Sequence, residues 1–320
     1  MSGCTESGKP LISIVMAVYH PRVDWLIEQL DSLNTQTYPN LELIICDDGP
    51  DAPVEERVFA RHITAFPWRL VRNEQNCGSN RTFERLTELA GGEYIAYCDQ
   101  DDIWLSQKLN CLYERIQETQ ALLVCSDVSL MDAESKVFAQ GIASARPRHI
   151  FHEGLDTAVG LIYRNFAIGC TMLVVAAMAR MAVPFAAYMV HDHYLAFFCA
   201  MHGEIAVCPG YLVQYRLHKG NQTGILAHIS NKVEYEQQHL EPFYLRVIEL
   251  QMRFVLPELE VAAAWALARK ENAARMPKGA RKLWRLRHIN YATTLFEIVG
   301  LRLPRPLFAL ALQVIQSGKI

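Results

Sequence analysis

The chain has 320 residues, 51% of them hydrophobic and 20% charged, with a formal net charge of −3. That is enough apolar material for one large core or two smaller ones without covalent staples. A balance so close to neutral supplies no overall cationic field, which excludes nucleic acid as an expected partner. The opening Met1 to Pro10 is polar and lacks the apolar stretch of a signal peptide, so a flexible tail on a cytoplasmic protein is expected.

From Leu11 onward, short apolar runs alternate with segments of helical period, the pattern of parallel strands with crossover helices. Leu11 to Val18 reads as a strand. The helix after it puts Leu26, Leu30 and Leu33 on one face and stops at Tyr38-Pro39-Asn40. A second strand, Leu41 to Cys46, runs into Asp47-Asp48-Gly49. A helix over Val54 to Ala65 leads to a third strand, Trp68 to Val71, and then to the polar loop Asn73 to Ser79. The following helix turns Phe83, Leu86 and Leu89 inward and ends at Gly91-Gly92. Glu93 to Cys98 is a fourth strand, delivering Asp99-Gln100-Asp101-Asp102. Helix Leu105 to Thr119 and strand Ala121 to Cys125 complete an α/β half over residues 11–125.

Residues 126–224 mix strands and helices, with a helix over Asp192 to Met201 and a strand over Tyr211 to Tyr215. The most apolar long stretch, Phe166 to Val190, is interrupted by Arg180 and Pro184, and reads as a buried strand and a short helix rather than a membrane span. Residues 225–320 read as helical and basic, with nine Lys or Arg against two Glu between Lys270 and Arg305. The nine cysteines are odd in number, scattered and without a C-x-x-C pair, so they read as buried hydrophobes in a reducing compartment.

In an open α/β sheet, ligands bind beyond the carboxyl ends of the strands, and the acidic clusters fall at those ends. Three carboxylates within four residues repel one another unless they are solvated, protonated or neutralised by a cation. Strand alternation would set Asp99 and Asp101 on one side, where hard oxygens suit Mg²⁺ or Mn²⁺. The plain rival is a solvated acidic loop in which Asp102 caps the helix beginning near Leu105.

The segments Ile12 to Tyr19, Leu43 to Gly49, Tyr94 to Trp104, His191-Asp192 and Tyr215 to Gly224 together resemble the family 2 glycosyltransferases, closest to a bacterial branch that includes many rhamnosyltransferases. The resemblance implies a GT-A fold: a Rossmann-like, nucleotide-sugar-binding mixed sheet flanked by helices, spanning residues 11–224, with a C-terminal helical extension. It also implies a divalent cation and a transfer that inverts the anomeric centre. By position it places the donor nucleotide at Ala17, Tyr19, Asp48, Arg81 and Asp99, with Asp48 on the nucleobase and Tyr19 stacked near it. The metal falls to Asp101, Asp99 and His218, the diphosphate or acceptor to Trp104, Arg216 and His218, and the catalytic base to Asp192. Two departures bear on substrate identity: His193-Tyr194 stands where many relatives carry Trp-Trp, and Thr82 where an Asn is common.

Each residue has a structural rival. Asp192 could be the N-cap of its helix, Arg81 the partner of a helix-face carboxylate, Tyr19 a packing residue and His218 an exposed loop histidine. His191, His193 and His202 follow no zinc spacing. The basic and aromatic Lys278 to His288 suits an anionic membrane surface at the inner membrane, or else forms an ordinary packed helix or an oligomer contact. The expected partners are a nucleotide-diphosphate sugar, with dTDP-rhamnose the first donor on resemblance alone, and a saccharide or lipid-linked glycan of bacterial surface polysaccharide. A nucleotidyltransferase is the alternative enzyme, but Ala17 to Pro21 offers no glycine-rich phosphate loop. A non-catalytic nucleotide-sugar scaffold is the alternative that is not an enzyme.

Overall fold

The computed structural model describes residues 8–218, 226 and 229–316. The chain divides into two compact units, Met1–Phe185 with Val190–His218, and Ala186–Met189 with Lys219–Ile320.

The first unit is built on a mixed sheet. Its parallel half comprises β1 (Ile12–Val18), β2 (Leu41–Asp47), β3 (Trp68–Arg72) and β4 (Tyr94–Cys98), in the order β3-β2-β1-β4. β1 and β2 are almost continuously apolar because both faces are covered. Their crossover helices are α1 (Val23–Asn34), α2 (Glu56–His62) and α3 (Gly78–Leu89). Leu26, Leu30 and Leu33 of α1 are fully buried, as their spacing requires, each contributing about 2 kcal/mol of transfer free energy. At the entrance to β4, Gly92 packs so closely on β1 that a Cβ there would lie 2.6 Å from the Leu11 carbonyl oxygen.

The sheet continues through β5 (Ile103–Trp104), β6 (Leu123–Met131), β7 (Val137–Gln140), β8 (Leu173–Val175) and β9 (Ile205–Arg216), giving the full order β3-β2-β1-β4-β8-β6-β9-β5 with β7 on β6. The intervening helices are α4 (Lys108–Thr119), α5 (Ala158–Tyr163), α6 (Ala176–Met181) and α7 (His191–His202). β8 followed by α6 realises the strand and short helix read in Phe166 to Val190.

Several expectations are corrected here. The helix read from Leu105 begins at Lys108, because Ile103 and Trp104 pair with Gln214 and Val213 of β9, and the Leu105 N–H donates to the Leu212 carbonyl. The strand read as Ala121 to Cys125 runs on to Met131. The one read as Tyr211 to Tyr215 begins at Ile205, its parallel register with β6 shifting around Asp127. Six of the eight described cysteines are buried and all eight are free, as expected of small core residues.

The second unit is helical: α8 (Lys232–Tyr235), a π-turn, α9 (Glu241–Arg253), α10 (Pro257–Ala273), α11 (Gly279–Arg285), α12 (Tyr291–Gly300) and α13 (Arg305–Gln316). Ile229, Tyr235, Leu240, Leu301, Phe308 and Leu312 form an apolar core. Beside it, the Arg269 guanidinium donates to both oxygens of Glu297, which also accepts from the Tyr235 hydroxyl at 2.8 Å. So fully partnered a charge pair offsets its own desolvation. Among the described residues no helix is long and apolar enough to cross a membrane.

Candidate active site

The parallel register brings the ends of β1, β2 and β4 together: Val18 lies beside Asp47 and Met16 beside Cys98. Just past them, the Tyr19 N–H donates to Gln100 Oε1 at 2.8 Å and the Gln100 amide donates back to the Tyr19 carbonyl at 3.1 Å. The Tyr19 ring is 47% exposed and stacks on His20, so it is no packing residue of the strand end. Ala17, half-buried, sits two residues before it on β1.

Asp47 and Asp48 shape the loops. Asp47 accepts from the Gly49 and Val54 N–H groups, closing the turn after β2. Asp48 is buried; its carboxylate accepts from Asn73 Nδ2 at 2.6 Å, the Cys77 N–H at 2.8 Å and the Gly78 N–H at 2.9 Å. It therefore holds the loop from Asn73 to the start of α3, with only spare lone pairs for a base. Arg81, on that helix, donates to Glu84 Oε1 at 2.6 Å, its structural rival.

After β4 the chain bends at Gln100 and Asp101, so strand alternation does not carry through the acidic run. Asp99 and Asp101 consequently do not share one cluster as expected. Asp99, Asp102 and the Cys170 thiol place ligand atoms within 4.8 Å of one another, while Asp101 Oδ2 meets His218 Nε2 at 2.7 Å. Burial, and then the neighbouring Asp102 and Asp101, push the Asp99 carboxyl well above its usual range. Burial, with Asp101, raises Asp102 to about 7. Asp102 does not cap α4; it accepts from the Arg216 N–H at 3.0 Å.

Arg216 is fully buried, with its guanidinium donating to the carbonyls of Asp101 and Asp132, to Ser135 Oγ and to Glu28. This internal strut fixes the acidic loop, correcting the expectation that Arg216 faces a diphosphate. Trp104, expected at the diphosphate or acceptor, is likewise enclosed, at 2% exposure. His218 remains at the edge, its ring 5.0 Å from that of Trp25. The expected segment beyond it, Lys219 to Gly224, lies outside the described residues.

Asp192 stands in the first turn of α7, where the N-cap is Val190, so Asp192 is not the cap. Its oxygens accept from the His193 N–H at 2.6 Å and the Gly169 N–H at 3.1 Å, and burial raises its carboxyl to about 6. The neighbouring histidines form no ligand cluster: His193 bonds the Leu161 carbonyl, His202 the Phe198 carbonyl, and His191 stacks on Phe83.

Two residues escaped the sequence reading. Lys108 is fully buried, its ammonium donates to the Cys170 carbonyl at 2.6 Å, and burial lowers it to about 7. Its signal was its place in the apolar stripe with Leu112 and Ile116, one helical turn apart each, directly after three acids. Cys170 gave no such signal, since its role comes from a turn that only the tertiary fold brings to the acids.

The donor set fits a hard divalent cation. Asp102 Oδ2 is buried with no N–H or O–H donor on it among the described residues, the Cys170 thiol beside the carboxyl being a weak donor at most, and a buried carboxylate oxygen so placed calls for a proton or a metal. Asp99 and Asp102 supply the carboxylates. The Cys170 thiol, pushed far up by burial, stays protonated at neutral pH and lines the site without being a thiolate ligand.

Comparison with known proteins places the chain in a family. The profile of the family described as glycosyl transferase family 2 matches residues 13–176, more than half of the chain. An Escherichia coli relative, the UDP-Glc:alpha-D-GlcNAc-diphosphoundecaprenol beta-1,3-glucosyltransferase WfgD, is 27% identical over 187 residues, covering 58% of this chain and 68% of its own. Other curated relatives are matched over about half their length or less, 47% in one case and 38% in another. Among solved structures, Staphylococcus aureus TarS 1–349 in complex with UDP-GlcNAc superposes with a TM-score of 0.60 at 12% identity, covering 96% of this chain and 92% of that one. The mannosyltransferase PcManGT from Pyrobaculum calidifontis, in complex with GDP-Man and Mn²⁺, gives 0.54 at 16% identity, covering 97% and 88%.

Proposed function

Because this chain belongs to glycosyl transferase family 2 and has the GT-A fold of the solved structures it matches, we propose that it is an inverting glycosyltransferase of bacterial surface polysaccharide synthesis. The reading takes a nucleoside-diphosphate sugar as donor and a saccharide or lipid-linked glycan as acceptor. What carries it is the convergence of the Asp99–Asp102 pair with Asp192 around one short turn, Gly169–Thr171.

The chemistry follows from those groups. An acceptor hydroxyl oxygen attacks the anomeric carbon, the bond from that carbon to the diphosphate oxygen breaks, and the hydroxyl proton passes to Asp192. Asp192 suits that role because burial raises its basicity while two N–H donors fix its orientation. Attack opposite the leaving group inverts the centre. Mg²⁺ or Mn²⁺ held by Asp99 and Asp102 would supply positive charge against the departing diphosphate; the Mn²⁺ of PcManGT supports such an ion. The exposed Tyr19 ring and the loop held by Asp48 border the space for the base. The named relatives take UDP sugars or GDP-mannose, so a donor panel should include these beside dTDP-rhamnose.

The test is transfer by Asp192→Asn with the matched donor and Mn²⁺. Turnover should fall roughly 10²- to 10⁴-fold while donor binding, read by thermal shift, persists. A variant with the wild-type rate would remove Asp192 from the chemistry.

A further inference from the structure

In the second unit, α11 and α12 carry a surface that the transfer reading does not use. α12 is inverted: its buried side is polar and its exposed side apolar. Thr294, Glu297 and Gly300 are buried, while Tyr291, Leu295 and Val299, one per turn, are 57%, 42% and 52% exposed. Residues four apart share a helix face, so these three form a continuous apolar stripe in water. On α11, Trp284 is 41% exposed and extends the stripe, its ring 6.1 Å from that of Tyr291 and 4.8 Å from the Arg287 guanidinium.

The charge along that stretch of chain is almost wholly positive, the acid Glu271 of α10 meeting α11 as the partner of Lys282. From Lys278 to Arg305 there are seven Lys or Arg and one acid, Glu297. Glu297 is fully buried and neutralised by Arg269, so none of this stretch's carboxylates faces solvent. Arg281 and Arg285 are exposed and make no ion pair among the described residues. Nearby, Arg275 and Arg302 line an open groove of about 430 Å³.

We propose that α11 and α12 seat this protein on the surface of an anionic lipid bilayer. Trp284, Tyr291, Leu295 and Val299 enter the boundary between headgroups and acyl chains, and Arg281, Arg285 and the Arg275–Arg302 groove take lipid phosphates. Aromatic rings with a polar tip settle at that depth, and flanking cations add attraction to acidic headgroups. A nucleic-acid surface would engage the cations but give Leu295 and Val299 nothing to enter. The inference does not rest on Asp192 or the acidic cluster, so it can fail while the transfer reading stands.

The experiment is cosedimentation of the full chain with vesicles of phosphatidylcholine alone, or with about a third of it replaced by phosphatidylglycerol. Binding is expected to the anionic vesicles alone and to weaken with salt. Arg281→Glu with Arg285→Glu should lower it by about 25-fold or more, roughly fivefold for each cation removed. Leu295→Ser with Val299→Ser should lower it by about tenfold while melting and donor binding stay as in the wild type. Equal binding to both vesicle types, no binding, or unchanged binding by either variant overturns the proposal. A dimer in light scattering that the serine variant abolishes also overturns it, since a second copy would then cover the stripe. Tighter binding to an RNA oligomer than to anionic vesicles does the same.

Discussion

At the scale of single residues, Arg216 shows how a side chain can belong to a site without touching its ligands. Its guanidinium ties the Asp101 carbonyl to Asp132, Ser135 and Glu28 with no surface exposed. Arg216→Met should therefore cost about 3 kcal/mol or more in urea unfolding, because buried acceptors lose their donor. An effect on donor KM with unchanged stability would instead put the guanidinium at the diphosphate. Asp192 makes a pH prediction. A base must be deprotonated, and this carboxyl is raised to about 6, so turnover should climb with pH through a midpoint near 6. A flat rate from pH 5 to 8 would contradict the assignment. The acids themselves were legible in the sequence, as residues at strand ends. Their facing was not, because the bend at Gln100–Asp101 breaks the alternation that assigned Asp101 to Asp99's side.

At the scale of elements, β1, β2 and β4 were readable because each is a short apolar run closed by turn residues, and the edge strand β3 by its Trp68, Leu70 and Val71 between turns. β6 and β9 were readable only in part, because β6 alternates polar and apolar residues beyond Cys125 and Pro209-Gly210 cuts Ile205 to Cys208 off from the rest of β9. β5 is only two residues long, below what periodicity can detect, yet its pairing with β9 carries His218 to Asp101. The close approach at Gly92 gives this level its test. Gly92→Ala should destabilise the protein by about 2 kcal/mol or more, since the added methyl meets backbone atoms of Leu11 and Ser13 that cannot yield cheaply. An unchanged urea midpoint would show that β1 and β4 part easily.

At the scale of the whole molecule, each unit holds a neutral imidazole: burial lowers His191 to about 3, and partial burial with the neighbouring Arg269 and Arg246 guanidiniums lowers His239 to about 3. An unfolded histidine titrates near 6.5, so between about 3 and 6.5 the unfolded chain binds more protons and stability rises with pH. Stability should accordingly be lost as pH falls below about 6.5, by up to about 1.4 kcal/mol per unit for each ring. His191→Phe should flatten that decline in urea midpoints taken from pH 7 down to pH 5; an unaltered slope would mean His191 is protonated in the folded state. The overall class was legible because five ordered motifs constrain a fold more than any one does, whereas the two-unit division at His218 depended on packing that no local pattern announces. The turn Gly169–Thr171 has a last consequence. Lys108 grips it by the Cys170 carbonyl, and its Gly169 N–H grips Asp192. With Asp192 proposed as the base and Asp99 with Asp102 as the cation's holders, both halves of the proposed reaction would hang on this one turn, so a side chain added at Gly169, which would press on Asp192 and His191, should impair them together.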